Sequence, residues 1–143
     1  MDQLAEFTSN NALLVSALIA TAFAVLFNEL RLKSQKLGSI SAADAVHMIN
    51  QGAVVVDVRE ESSFNNGHIV ESRRITPDEL LAGAADKMKK KKAVLLICDV
   101  GNQSARAAAA LRKSGIENVF SLKGGIAAWR QENLPVVNNE NGS

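Results

Sequence analysis

The residue of this chain best suited to covalent chemistry is Cys98, its single cysteine. It heads the segment Cys98-Asp99-Val100-Gly101-Asn102-Gln103-Ser104, after the apolar run Ala93–Ile97 and before an alanine-rich stretch. A short glycine-containing loop that joins a strand to a helix turns successive backbone N–H groups inward. With the helix N-terminus behind them, those groups make a nest for an anion. A thiolate at the head of the nest is held in its reactive form, and the same donors suit a persulfide or the negative oxygens of a substrate. The competing reading is a buried structural cysteine, a common fate of this residue. Its place at a strand end, ahead of a glycine loop and a helix, favours the nucleophile.

Other reactive side chains are few. Asp57 and Arg59 set a carboxylate beside a guanidinium at the end of a second apolar run, and because buried charges are paired they read mainly as loop-fixing groups. His68 is the one candidate general base and equally a hydrogen-bonded loop histidine, since His47 falls within a helix. No Ser-His-Asp spacing is visible. Phosphatases of the Cys-x5-Arg kind clamp phosphoryl oxygens with an arginine that stands here at Ser104, and Arg106 comes two residues too late. Phosphatase chemistry is therefore disfavoured. A lone cysteine gives no CxxC zinc pattern and no internal disulfide, which suits a reducing compartment.

These groups need elements to hold them. Ser41 caps a helix, with Asp44 placed as in a capping box and Val46 and Ile49 on its apolar face; Gln51-Gly52 ends it. The β-branched run 53–58 is too continuous for a half-exposed strand and reads as a buried parallel one. Thr76-Pro77 starts another helix. A second buried strand covers 93–98, with Cys98 its last residue, followed by a loop over 99–103 and a helix from about Ser104 to Lys113. Gly115 stops that helix, Val119–Leu122 makes a third strand, and Gly124-Gly125 leads into a last helix with Ile126 and Trp129. There are no internal repeats. Strands alternating with helices predict a parallel sheet covered on both faces, and ligands of such sheets bind outside the carboxyl ends of the strands.

The first thirty residues are of another kind. Residues 7–28 carry no charge, and as a helix they reach roughly 33 Å, enough to cross a hydrocarbon core. Asp2 and Glu6 precede the apolar run and no Lys or Arg does, the wrong start for a cleaved secretory signal. Arg31, Lys33 and Lys36 follow it, so the positive-inside rule places the C-terminal bulk in the cytoplasm. The organisation expected is a tail over 1–10, a transmembrane helix over 11–30, a polar linker over 31–39, a domain over 40–136 and a disordered tail over 137–143. A formal net charge of +1 argues against nucleic acid as a partner. The run Lys87, Lys89, Lys90, Lys91, Lys92 reads as a solvated turn, with contact to anionic lipid as its alternative.

Three segments together carry a family resemblance. Asp57-Val58-Arg59 with Phe64 and Gly67-His68-Ile69 resembles the first signature of rhodanese-like domains. The segment Cys98–Ser104 resembles their active loop, and Leu111, Gly115, Asn118-Val119 and 122–129 resemble their C-terminal signature. The match spans about Ile40 to Pro135 and, with the anchor, is most similar to membrane-bound bacterial rhodanese-like proteins. It implies an α/β, three-layer domain with a mainly parallel sheet, anchored to the bacterial inner membrane by one helix. It also implies a sulfurtransferase: Cys98 takes sulfane sulfur from thiosulfate or another persulfide and passes it to a thiol or cyanide. The backbone N–H groups of Asp99 to Ser104 would cradle the sulfur, and no metal or organic cofactor is needed. Asp99 beside the cysteine, and Gln103 where the family often has arginine, would repel or fail to attract dianionic thiosulfate. The alternative implied is a catalytically weak or inactive docking module of a membrane protein complex.

Overall fold

The computed structural model describes residues 1–36 and 38–139, for 34–36 the backbone alone. The chain divides into two compact units, Met1–Ser34 and Gln35–Ser143. The first is helical throughout: α1 (Asp2–Asn10) and α2 (Ala12–Lys36). Within α2, the stretch Ala12–Lys33 is long and apolar enough to cross a membrane, and none of it is buried inside the protein. The hydroxyls of Ser16 and Thr21 donate to the carbonyls of Leu13 and Ala17, which satisfies them within the helix. Two expectations change here. The tail over 1–10 is a helix, and the residues read as a linker continue α2 as far as Lys36, because Leu32, Lys33, Gln35 and Lys36 all favour helix over coil. Of that linker, Leu37 lies outside the described residues, and Ser39 opens a strand.

The second unit is built on a five-stranded parallel sheet in the order β1-β5-β4-β2-β3, where β1 is Ser39–Ile40, β2 Val54–Asp57, β3 Arg73–Arg74, β4 Val94–Ile97 and β5 Val119–Leu122. The three strands expected are the three central ones. They are apolar apart from Asp57 at the end of β2 and Ser121 in β5, because both faces are covered. Strand β4 shows how the faces divide. Val94 and Leu96 point into one core cluster with Val56, Val58, Leu80, Met88, Ala108 and Leu111. Leu95 and Ile97 point into the other, with Ala45, Val55, Leu122, Ile126 and Trp129. Against the first face lie α5 (Pro77–Leu81), a 3-10 turn (Ala84–Met88) and α6 (Asn102–Lys113); against the second lie α3 (Ala42–Asn50) and α7 (Gly125–Gln131). A short α4 (Glu61–Asn65) follows β2.

Helix starts follow their capping chemistry. The backbone N–H of Asp44 donates to Ser41 Oγ at 3.2 Å, and Thr76 and Glu79 close a reciprocal capping box around Pro77. Those bonds from the Thr76 backbone and hydroxyl hold the Glu79 carboxyl below the usual carboxylate range. Lys89 of the lysine-rich turn pairs with Asp86 at 2.8 Å, and the turn precedes β4 as expected. Part of the tail is ordered: Val137 exchanges both backbone hydrogen bonds with His68, so the chain beyond Pro135 folds back onto the domain. Residues 140–143 lie outside the described residues.

Leu96 is fully buried at the centre of the sheet. Leu96→Ala is expected to cost about 2–5 kcal/mol of domain stability, read from the urea midpoint of the full-length chain in detergent. A loss well under that range would mean that the core around β4 collapses to fill the space.

Candidate active site

Cys98 follows β4 directly, one residue past the strand end, at the carboxyl edge of the central strand. The alternation along β4 carries its side chain toward α6, and it is only 2% exposed. There the Sγ accepts a hydrogen bond from the backbone N–H of Gly101 at 3.0 Å and lies 3.2 Å from Ser104 Oγ. The Ser104 hydroxyl, itself buried, is also 3.3 Å from the Gly101 carbonyl. A hydroxyl has one proton to give. With a thiol, Ser104 can donate to the carbonyl and accept from S–H; with a thiolate, it can turn its proton to sulfur.

The loop is shorter than the sequence suggested. Gly101, at φ 95°, is the N-cap of α6, so Asn102 and Gln103, read as loop, join Ser104 in the first turn of the helix. A glycine in the left-handed region makes the turn sharp enough to start the helix four residues after the cysteine. The first-turn N–H groups of a helix have no intrahelical carbonyl partner and point toward its start, here the cysteine side. Of the loop's amides, Gly101's is the one that bonds Sγ among the described residues. Around it Asp99, Val100, Asn102 and Gln103 are exposed.

Two other segments fasten this turn. From the C-terminal side, Ile126 N–H donates to the Cys98 carbonyl at 2.8 Å and Ala127 N–H to the Asp99 carbonyl at 3.1 Å. Such close approach requires Gly125: a Cβ there would stand 2.3 Å from the Cys98 oxygen, and its φ is +60°. From the β2 side, Asp57 and Arg59 form a buried, bidentate pair, with Nε–Oδ1 at 2.9 Å and a terminal nitrogen to Oδ2 at 2.7 Å. Arg59 also donates to the Gly67 carbonyl at 2.8 Å and stands 3.7 Å from the Asp99 carboxylate. Burial works against the charge on Arg59, but the hydrogen bond and attraction of Asp57, then of Asp99, keep the guanidinium above the ordinary arginine range.

The expected site residues therefore separate. Cys98, Asp99, Gly101 and Ser104 come together, and Asp57 and Arg59 meet them through Asp99. His68 does not join them in any hydrogen bond. Its Nδ1 bonds the Phe64 carbonyl at 2.9 Å and its ring stacks on Phe64 at 3.9 Å, while its backbone pairs with Val137. Sequence reasoning missed the Arg59–Asp99 link, the Ser104 hydroxyl as a partner of sulfur, and the glycine contact from α7. The Gly124-Gly125 doublet carried a signal for the last, since paired glycines before a helix mark close backbone approach. No group of three or more His, Cys, Asp or Glu placed to hold a metal occurs among the described residues. A cavity of about 720 Å³ opens beside the start of β2, between Val54, Arg73 and Met88, and no residue of the cysteine turn lines it.

Removing one partner of a buried pair leaves an uncompensated charge. Arg59→Met is expected to cost about 3–5 kcal/mol by chemical denaturation, and Asp57→Leu in the same chain should recover part of that loss. Additive losses in the double variant would mean that the pair is not coupled.

Comparison with known proteins places the arrangement. The family model described as the rhodanese-like domain matches residues 41–132. The uncharacterized protein YibN of Escherichia coli (strain K12) is 36% identical over 140 residues, covering 96% of this chain and 98% of that one. The thiosulfate sulfurtransferase GlpE of Stutzerimonas stutzeri is 40% identical over 87 residues, 58% of this chain and 75% of its own length. Among solved structures, a rhodanese-related protein of Thermoplasma volcanium superposes with a TM-score of 0.62 at 36% identity, covering 69% of this chain and 96% of that chain. With its parallel sheet, its cysteine turn and near full-length likeness to such a relative, the chain belongs to the rhodanese-like domain family.

Proposed function

We propose that this protein is a membrane-anchored sulfurtransferase that moves sulfane sulfur through a persulfide on Cys98. The observation that carries the reading is the cysteine turn itself: a free cysteine at the end of the central strand, bonded by Gly101 N–H and Ser104 Oγ, at the start of α6. The thiolate attacks the outer sulfur of the donor, the bond between that sulfur and its carrier breaks, and the carrier leaves with the electron pair. The amides of Asn102, Gln103 and Ser104 at the helix start, with Gly101, stabilise the charge that the terminal sulfur then bears. An acceptor thiolate reverses the step by attacking the terminal sulfur, and Cys98 leaves as thiolate.

In this reading Asp57 and Arg59 do not react. They hold the turn, Arg59 through both Asp57 and Asp99. His68 fixes the chain between Phe64 and Val137. The α2 segment Ala12–Lys33 crosses the bacterial inner membrane, and Arg31, Lys33 and Lys36 keep the domain on the cytoplasmic side.

Full-length protein in nonionic detergent, incubated separately with thiosulfate and with a low-molecular-weight persulfide, is expected to gain one sulfur atom at Cys98 by intact-mass and peptide spectrometry. Cyanide or a thiol should remove the gain, and Cys98→Ser should abolish it. A folded protein with a titratable Cys98 thiol that gains nothing from either donor would sink the transferase reading and leave a docking module. Ser104→Ala should slow loading about tenfold, the effect of one charge-assisted hydrogen bond to sulfur. An unchanged loading rate would remove Ser104 from the mechanism.

A further inference from the structure

We propose that Asp99 is the donor-selecting residue of this site, setting it against dianionic thiosulfate and in favour of a persulfide whose carrier offsets the charge of its terminal sulfur. The inference rests on the sulfurtransferase reading and names the substrate class within it. Asp99 is the one charged side chain in the turn between Cys98 and the start of α6, next in the chain to the thiol, and it is 66% exposed, so solvent and solutes reach its carboxylate. Arg59, which pairs with it, offsets that charge only in part. Its guanidinium is buried and bound in bidentate fashion to Asp57, and it meets Asp99 only at 3.7 Å. Asp57, Arg59 and Asp99 together leave one net negative charge at the carboxyl edge of β2 and β4.

The rest of the turn is uncharged: Val100 is a 60% exposed apolar side chain, and Asn102 and Gln103 are neutral. Two exposed cations flank the turn: Arg106 in the second turn of α6, and Lys123, whose neighbours Leu122 and Gly124 bring backbone atoms within 3.2 Å of where a Cβ on Gly101 would stand; neither lies between Cys98 and Gly101 in the chain. Asp99 is held in place as well as exposed, because Ala127 N–H grips its carbonyl and Arg59 draws on its carboxylate. A fixed charge at the mouth discriminates more sharply than a mobile one, since it cannot swing away from an incoming anion.

The two donor reactions differ in the charge they bring together. With thiosulfate, Cys98–S⁻ and S₂O₃²⁻ give Cys98–S–S⁻ and SO₃²⁻, so three negative charges meet beside Asp99. With cysteamine persulfide, Cys98–S⁻ and ⁺H₃N–CH₂CH₂–S–S⁻ give Cys98–S–S⁻ and ⁺H₃N–CH₂CH₂–S⁻, so a net charge of one minus is carried through the step. In each case the bond formed is from Cys98 Sγ to the sulfane sulfur, and the bond broken is from that sulfur to its carrier. An adjacent carboxylate therefore weighs far more on the first reaction, and the penalty is screened by salt.

The test compares Cys98 loading rates of the full-length protein in nonionic detergent, with thiosulfate and with cysteamine persulfide, whose ammonium offsets its terminal sulfur. Wild type should load from cysteamine persulfide at least about tenfold faster, and Asp99→Asn should shift the ratio of the two rates toward thiosulfate by about tenfold. As a measurement that needs no variant, raising salt should accelerate wild-type loading from thiosulfate, the mark of a like-charged encounter. Equal rates from the two donors, or a ratio that Asp99→Asn leaves unchanged, would overturn the assignment while leaving the sulfurtransferase intact. Loading from neither donor would instead overturn the transferase reading and this one with it.

Discussion

The pair between Asp57 and Arg59 is the constraint on which the reactive end of this domain depends. It sits where β2 runs out of the sheet, with Asp57 only 1% exposed, and both carboxylate oxygens are taken up by one guanidinium. Burying such a pair gives little net stability, because the cost of desolvating both ions consumes most of their attraction. What it gives is geometry. Arg59 has donors left over, and they reach the carbonyl of Gly67 in the segment after α4 and the carboxylate of Asp99 in the cysteine turn. The end of β2, the segment after α4 and the distant cysteine turn are thus indexed to one planar, five-donor group. Lysine in its place would supply the charge without the fork.

A second constraint meets the first from the other side. The start of α7 approaches the cysteine turn so closely that only glycine fits at 125, and its amides take the carbonyls of Cys98 and Asp99. The turn is therefore held by its carbonyls from α7 and by its carboxylate from Arg59. The amide of Gly101 is left to meet Sγ. This division of backbone groups matters more than any single contact: a turn whose carbonyls were free would present the wrong sign of charge to a thiolate.

How much of this was legible in the sequence follows from where the determining forces are local. Strands β2 and β4 announce themselves because residues buried on both faces leave an apolar run, β5 by a shorter run that Ser121 interrupts, and the starts of α3 and α5 because Ser41 and Thr76 cap them within four residues. The two-residue edge strands β1 and β3 carry no such run. Arg73 and Arg74 in β3 are exposed, and only their pairing with Val56 and Asp57 makes them a strand. Helix α2 outran its apolar stretch because propensity continues where hydrophobicity stops. In the site, Cys98 and its glycine were readable from chain order alone. The contact between Arg59 and Asp99 joins residues forty positions apart in sequence, set side by side by the register of Asp57 against Ile97, and no local pattern encodes it.

That register also bears on how a thiol only 2% exposed can exchange anything with the outside. On the sulfur-transfer reading, the atom that must travel is a single sulfur, and the S–S bond extends the reactive atom by about 2 Å from Sγ. An incoming donor needs to insert only its outermost sulfur past Asp99 and Val100, while its carrier stays at the rim. On the same reading a loaded Cys98 would carry its reactive sulfur beyond Sγ, and an acceptor thiol would attack it there. Burial of Cys98 is then a filter as much as a shelter. On that reading it would hold bulky electrophiles away from the sulfur while the terminal sulfur of a donor could still reach it.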